Sequence, residues 1–262
     1  RDLTPEGPTI GGTAASPAAT AKTLGCRTAV VTSYAEADEL DSALPEVAVH
    51  NVSAPASTTF ENIYEADGRV QSVHAVAGDI GVEDIPLPWQ RAKIAHIGPI
   101  ANEVDPQVIK LFSNSIVGLT PQGWMRRWGD NGRVYARPWD GSDAYLPLAA
   151  VTFISDEDLL VPSMLKDFRH FSRVLVMTQA AAGSIVYFGE EARRVPAPKV
   201  NAVDLTGAGD IFATAYLVRL HQTAGDPWEA ARFANEIAAQ SVTARGLANK
   251  MQVLQDYLSQ GK

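Results

Sequence analysis

Cysteine is nearly absent: Cys26 is the single one in 262 residues. A lone thiol excludes a disulfide framework within the chain and a cysteine-rich metal site. With Ala29, Val30 and Val31 close behind it, Cys26 is expected to be a buried, inert thiol. Histidine is sparse as well. His50, His74, His96, His170 and His221 are scattered, without the paired spacing of H-E-x-x-H. No apolar run is long enough to span a membrane. Positive charge is in deficit, with 22 Lys+Arg against 30 Asp+Glu and a net charge of −8. That is a poor basis for binding nucleic acid or an anionic membrane. The one grouping of cations among aromatics, Trp124-Met125-Arg126-Arg127-Trp128, reads as a strand end or loop with solvated arginines. Nothing like a secretory leader opens the sequence, and cytoplasmic residence is the expectation.

What is there is an ordinary globular composition, 46% hydrophobic and 20% charged. A chain of this length can bury one substantial core with room for a small appendage. Gly11 to Leu24 reads as a glycine turn and a small-residue helix ended by Gly25, and Arg27–Ser33 as a buried strand. Residues 47–76 break the pattern with β-prone runs and an Ala66-Asp67-Gly68-Arg69 turn, a β meander. Strands at Lys93–Gly98, Ser115–Leu119, Val151–Ile154 and Val174–Thr178 then alternate with helices, the first of them at Asp105–Phe112. A hairpin around Gly189-Glu190-Glu191 follows. Two long helices, about Gly207–Gln222 and Pro227–Ala244, close the pattern. Alternation of this kind implies parallel βαβ units and a sheet covered on both faces. The expectation is one α/β domain over residues 1–262 with a small β lid at 47–76 inserted in it.

The segment that carries chemistry is Asp204-Leu205-Thr206-Gly207-Ala208-Gly209-Asp210, which runs into Ile211-Phe212-Ala213-Thr214-Ala215-Tyr216-Leu217. Phe212, Ala215 and Tyr216 fall at helical spacing, so a helix begins within the glycines. Glycines let successive N–H groups point at one spot, and the helix N-terminus adds its positive end. Such a turn can hold a phosphoryl group in transfer, with Asp210 at its mouth to accept a hydroxyl proton. A plain tight turn before a helix would look the same locally. The segment is neither a Walker A loop, since no Lys-Ser/Thr follows, nor a G-x-G-x-x-G fingerprint.

Here the sequence resembles the ribokinase/PfkB carbohydrate kinase family. The family's C-terminal signature, D-T-x-G-A-G-D-x-F, is matched from Asp204 to Phe212 except for Leu205 in place of Thr. Its N-terminal signature of paired glycines, small residues and a helix ending in L-G resembles Gly11-Gly12-Thr13-Ala14-Ala15-Ser16 through Leu24-Gly25. Phe233-Ala234-Asn235 through Ser241–Gly246 resembles the last helix and loop. The resemblance implies a ribokinase-like three-layer α/β/α fold with a mainly parallel central sheet and a small β lid. It implies an ATP- and Mg2+-dependent kinase acting on a hydroxyl of a sugar, polyol or similar small molecule. In that reading Asp210 is the base, and Gly207, Ala208 and Gly209 form the anion hole. Thr178, Thr206 and Asn235 lie near the nucleotide, while Gly11, Gly12, Ser16 and Asp2 face the acceptor. It leaves room for a homodimer paired through the lids.

The chain departs from the family at named places. The magnesium-linked N-x-x-E resembles Ser155-Asp156-Glu157-Asp158, which makes Asp158 the side chain expected to reach the metal through water. Ser155 and Asp158 starting a helical turn is the competing reading. T-x-G appears as Thr178-Gln179-Ala180, and Ser16 stands at the acceptor-site Asn of many sugar kinases. Only a short stretch separates Asp2 from Gly11, so the lid is expected to come mainly from residues 47–76. Two other functions stay open. A nucleoside kinase would need an apolar slot for the base, for which Phe60, Tyr64 or Trp124 are candidates. A kinase-like binding module without activity is the other.

Overall fold

The computed structural model describes residues 1–4, 7–9, 11–35, 40–65 and 68–260. In chain order its strands are β1 (Asp2–Thr4), β2 (Gly7–Thr9), β3 (Ala29–Tyr34), β4 (Ala48–Ser53), β5 (Thr59–Glu65), β6 (Gly68–Ala75), β7 (Ile94–Ile97), β8 (Ile116–Leu119), β9 (Arg126–Trp128), β10 (Val134–Ala136), β11 (Val151–Ser155), β12 (Val174–Thr178), β13 (Ser184–Phe188) and β14 (Glu191–Val195). The helices are α1 (Gly12–Thr23), α2 (Leu40–Ala43), α3 (Ser142–Tyr145), α4 (Pro162–Phe171), α5 (Ala208–Gln222), α6 (Pro227–Ser241) and α7 (Leu247–Gln260).

Short runs of branched residues, apolar on both faces, build the central sheet. Its order is β14-β13-β12-β11-β8-β7. β7, β8, β11 and β12 are parallel, and β13 and β14 add an antiparallel edge. Ile94, Ile116, Val151, Phe153, Val174 and Val176 face one layer, where they pack with Ala15 and Ala18 of α1, Tyr216 and Leu217 of α5, Ile237 of α6 and Leu254 of α7. Ala95, Ile97, Val117, Leu119, Ile154, Leu175 and Met177 face the other, with Trp124, Trp139, Met164 and Phe168. The period-two alternation thus covers both faces, as near-continuous apolar strands require. The fold is α/β, with a mostly parallel central sheet and a small β lid.

The lid differs from the expectation in its parts. The lid sheet has the order β2-β1-β5-β6, so β1 and β2 supply half of its strands. β4, expected in the lid, instead pairs in parallel with β3, Ala29 opposite Ala48 through Tyr34 opposite Ser53. Val49 of β4 joins one core layer and Val52 the other, and only a strand between two layers can bury both faces. Residues 66 and 67 of the expected turn lie outside the described residues, and β5 and β6 flank them in antiparallel register. Phe60 and Val73 seat the lid on Ala101.

Two helical readings are also corrected. Residues 106–112 form a 3-10 helix capped by Asp105, whose carboxylate accepts from Gln107 N. The chain closes with three described long helices rather than two, because α6 ends at Ser241 and a turn with Gly246 at φ +77° leads into α7. Cys26, expected to be buried, is half-buried, and burial pushes its thiol pKa up.

Candidate active site

Two helix N-termini meet beside the parallel strands. α1 begins after Gly11, in extended backbone, and Gly12 at φ +81°. α5 begins after Gly207 at φ +74°, a left-handed conformation open to glycine at little cost. Contact between the helices is close: a Cβ on Gly207 would stand 2.6 Å from Ser16 Oγ. The first i→i−4 bond of α5 runs from Ile211 N to Gly207 O, 2.9 Å. The N–H groups of Gly209 and Asp210 precede it and belong to the donors a helix leaves for other partners. A Cβ on Gly209 would meet no heavy atom within 4 Å. Glycine, N–H groups and open approach therefore coincide at the expected anion turn.

Asp210 stands half-buried at this mouth. Burial pushes its carboxyl up to about 6, and the charge of Asp2 adds to the rise. The Thr13 hydroxyl hydrogen bond and the Arg126 guanidinium oppose it. Asp2 is also raised by burial, against the pull of Arg126. Behind Asp210, Thr214 Oγ1 donates to the Asp210 carbonyl at 2.9 Å and lies 3.4 Å from His96 Nδ1. With that hydroxyl proton spent, the Nδ1 side of His96 must donate, which leaves Nε2 to accept from Thr120 Oγ1 at 3.2 Å. Burial holds His96 neutral by lowering its pKa to about 4. The scattered histidines of the sequence carried no sign of this brace.

Arg126 corrects an expectation. It is 9% exposed rather than solvated. Its guanidinium donates to Ile100 O at 2.9 Å and to Gln122 Oε1 at 2.6 Å, and lies 5.1 Å over the Phe60 ring of the lid. Strand alternation in β9 turns Arg126 inward and leaves Arg127 exposed. That alternation was the available signal, but which face would be covered depends on the lid.

A cavity opens beside these groups, lined by Gly12, Thr13, Ser33, Tyr34, Ile100 and Glu103 among others. Glu103 is buried, and its carboxylate accepts from Ile100 N and Ala101 N, the latter at 2.6 Å. Burial raises its pKa against those bonds. Thr13 and Glu103 were not among the sequence candidates. Gly11 and Gly12 also line the cavity, and Asp2 Oδ2 presses against Gly11.

Other candidates are placed differently. Ser16 is buried against Gly207 rather than lining that cavity. Asn235 is buried, its amide donating to Ser184 Oγ, Val195 O and Ala231 O, which braces α6 against the β13–β14 hairpin. Thr178 ends β12 opposite Ser155, with its hydroxyl on Ile154 O at 3.3 Å. Thr206 is exposed in the turn before Gly207, its N–H on Asp204 Oδ1. Asp158 accepts from Ser155 N at 2.8 Å in a capping box, and from Gln122 Nε2 at 2.9 Å. Through Gln122 it joins Arg126, and with Glu157 these side chains line a polar cleft. Among the described residues no cluster of three or more His, Cys, Asp or Glu could hold a metal ion. Phe60 is buried under Arg126, and Trp124 is stacked on Trp139 at 4.4 Å, so neither ring is free to form a base slot. The Tyr64 side chain lies outside the described part of the structure.

Residues 148–254 match the pfkB family carbohydrate kinase pattern. The protein named Probable fructokinase-5 of Arabidopsis thaliana is 34% identical over 103 residues, which is 37% of this chain and only 32% of the plant protein's length. Among solved structures, a pyrophosphate-dependent kinase in the ribokinase family, complexed with a pyrophosphate analog and myo-inositol, superposes with a TM-score of 0.76 at 21% identity, covering 92% of this chain and 90% of that one. Ribokinase from Thermotoga maritima superposes at 0.70 with 19% identity over 95% and 87% of the two chains. Adenosine kinase from Sinorhizobium meliloti superposes at 0.74 with 17% identity over 98% and 85%. At these identities the structural likeness speaks for the fold.

Proposed function

We propose that this chain, whose residues 148–254 match the pfkB family carbohydrate kinase pattern and whose fold is ribokinase-like, is a single-domain kinase that phosphorylates a hydroxyl of a sugar, polyol or related small molecule. The observation that carries this reading is Asp210. It stands at the N-terminus of α5 beside Thr13, within the field of Arg126 and Asp2, with the cavity of Gly12, Thr13 and Glu103 next to it. Asp210 accepts the hydroxyl proton as the acceptor oxygen bonds to the terminal phosphorus of the donor. The bond from that phosphorus to the leaving phosphate oxygen breaks, and the N–H groups of Gly209 and Asp210 face the charge that develops. Thr13 orients the carboxylate, and Gly11 and Gly12 let the acceptor approach the backbone closely.

The donor of this reading is ATP. Magnesium, when bound, neutralises donor phosphate charge. With no protein cage for it among the described residues, it would be held chiefly by the phosphates and water, with Asp158 or Glu157 nearest on the protein side. Pyrophosphate is the second donor reading. The relatives of that donor class favour it, and so does Asn235, whose amide is spent inside the core.

One panel tests both. Purified protein is assayed with ATP or pyrophosphate against sugars, inositols and nucleosides, with phosphorylated product read directly. Transfer to a sugar or polyol that is lost in Asp210→Asn is the expected result. No product from any pair would reject the kinase reading in favour of a binding module. Product with pyrophosphate alone would reassign the donor.

A further inference from the structure

We propose that Lys250 is a positioning residue whose ammonium serves as an internal cation around which the turn bearing the anion hole is wound. The inference rests on the kinase reading for its consequence, but its geometry stands apart from it.

Lysine is seldom fully buried unless paired, and Lys250 is 2% exposed. An ammonium has three N–H bonds to give. Asp204 O at 2.8 Å, Thr206 O at 2.6 Å and Asp204 Oδ2 at 3.2 Å take them. All three oxygens come from the turn entering α5, none from the lysine's own helix. The Asp204 carboxylate is itself held by Thr206 N at 2.9 Å and Gly246 N at 3.2 Å, which ties the start of α7 to the same point. Burial lowers the Lys250 pKa while Asp204 raises it.

Two backbone carbonyls aimed at one point repel each other, and a buried cation makes that arrangement favourable. The consequence passes through one peptide plane. Across a trans peptide the Thr206 carbonyl and the Gly207 N–H point in opposite directions. Fixing the carbonyl on Lys250 therefore fixes the N–H of Gly207 away from it, at the residue whose left-handed φ launches α5. Lys250 touches neither Asp210 nor the cavity. It acts by keeping the turn in the one conformation that directs the first N–H groups of α5 outward.

The test compares wild type, Lys250→Met, Lys250→Ala and Asp210→Asn as full chains. Lys250→Met keeps the stem and removes the charge. We expect amide hydrogen exchange over 204–209 to quicken by about 10–100-fold in Lys250→Met without any ligand, the scale set by losing hydrogen bonds to a charged group. With the donor that the wild type uses, donor KM should rise and kcat fall by a similar combined factor, while acceptor KM stays within about twofold. Methylammonium should restore a large part of the turnover to Lys250→Ala, and tetramethylammonium at equal ionic strength should not. Unchanged exchange over 204–209 would overturn the proposal. So would a lowered melting temperature with normal kinetics, since that is a packing role only. If Lys250→Met does not fold, the methylammonium arm on Lys250→Ala decides, and failure of rescue there counts against the proposal. An inactive wild type whose exchange pattern still depends on Lys250 would reject the kinase reading and keep the cation.

Discussion

Asp2 and Gly11 occupy almost the same space: a Cβ on residue 11 would stand 2.2 Å from Asp2 Oδ2. The glycine is there so that a carboxylate on the lid's β1 can press against the start of α1, next to the cavity. Gly11→Ala should displace Asp2 and raise the acceptor KM about tenfold, a cost of roughly 1.4 kcal/mol, with the donor KM little changed. In an Asp2→Ala background the same substitution should add little, because its clashing partner is gone. Additive effects in that cycle would show that the contact is irrelevant to acceptor binding.

Asp210→Asn should lower kcat by about 10²–10⁴-fold while donor binding survives, since Asn keeps the size but cannot take the proton. The raised carboxyl sets a pH dependence. Turnover needs the ionised form, so kcat/KM should fall as pH drops through about 6. Stability runs the other way. A carboxyl raised from 3.8 to about 6 favours the folded state most below pH 3.8, and that contribution is lost as pH rises through about 6. At pH 7.5 the charge is therefore a burden, and Asp210→Asn should melt higher than wild type there but not at pH 4. Equal melting temperatures at both pH values would contradict the burial argument.

Arg126→Met removes the cation that holds Asp210 and Asp2 down. The acid limb of kcat/KM should move to higher pH. The same change leaves Ile100 O and Gln122 Oε1 without their donor and bares Phe60, so the lid should loosen and the acceptor KM should rise. Arg126→Lys should recover the pH limb better than the lid contact, because a point charge lacks the planar fork. An unmoved acid limb in Arg126→Met would remove Arg126 from the electrostatics of the base.

Gly209→Val separates folding from transfer. Outside its chain neighbours and the backbone of its own helix, no heavy atom lies within 4 Å of an added Cβ, so the variant should melt close to wild type. In the proposed reading the branched side chain would nonetheless stand where the donor phosphates meet the N–H groups, and kcat/KM for the donor should drop by about 10²–10³-fold. Gly207→Ala should instead lose stability. It combines a left-handed φ of +74° with a 2.6 Å approach to Ser16 Oγ. Normal donor kinetics in folded Gly209→Val would move the anion hole elsewhere.

The parts of the fold that were legible are those written locally. Apolar runs bounded by turn residues marked β7, β8, β11 and β12, and the G-A-G-D turn marked the start of α5 to within a residue. β4 was misassigned because a β-prone run reads alike in a lid and between two core layers. α7 was missed because it follows α6 after a tight turn, although Leu247, Met251, Leu254 and Leu258 fall at helical spacing along it. Asn235 and Ser16 matched family positions by spacing. Their side chains are spent on Ser184, Val195, Ala231 and the approach of Gly207, partners that no local pattern names.

The order of residues by itself determined the alternation of strands and helices, the glycines that let α1 and α5 begin side by side, and the carboxylate at the mouth of α5. These follow from φ/ψ freedom, periodicity and helix-end chemistry, all of which act within a few residues of chain. Only the tertiary structure decided which charges share a field. Arg126 lies within the field of Asp210 because the lid covers one face of β9, and Lys250 is enclosed by oxygens from a turn 46 residues away. Burial and charge separation depend on three-dimensional distance and on the dielectric around each group, and neither is a function of position along the chain.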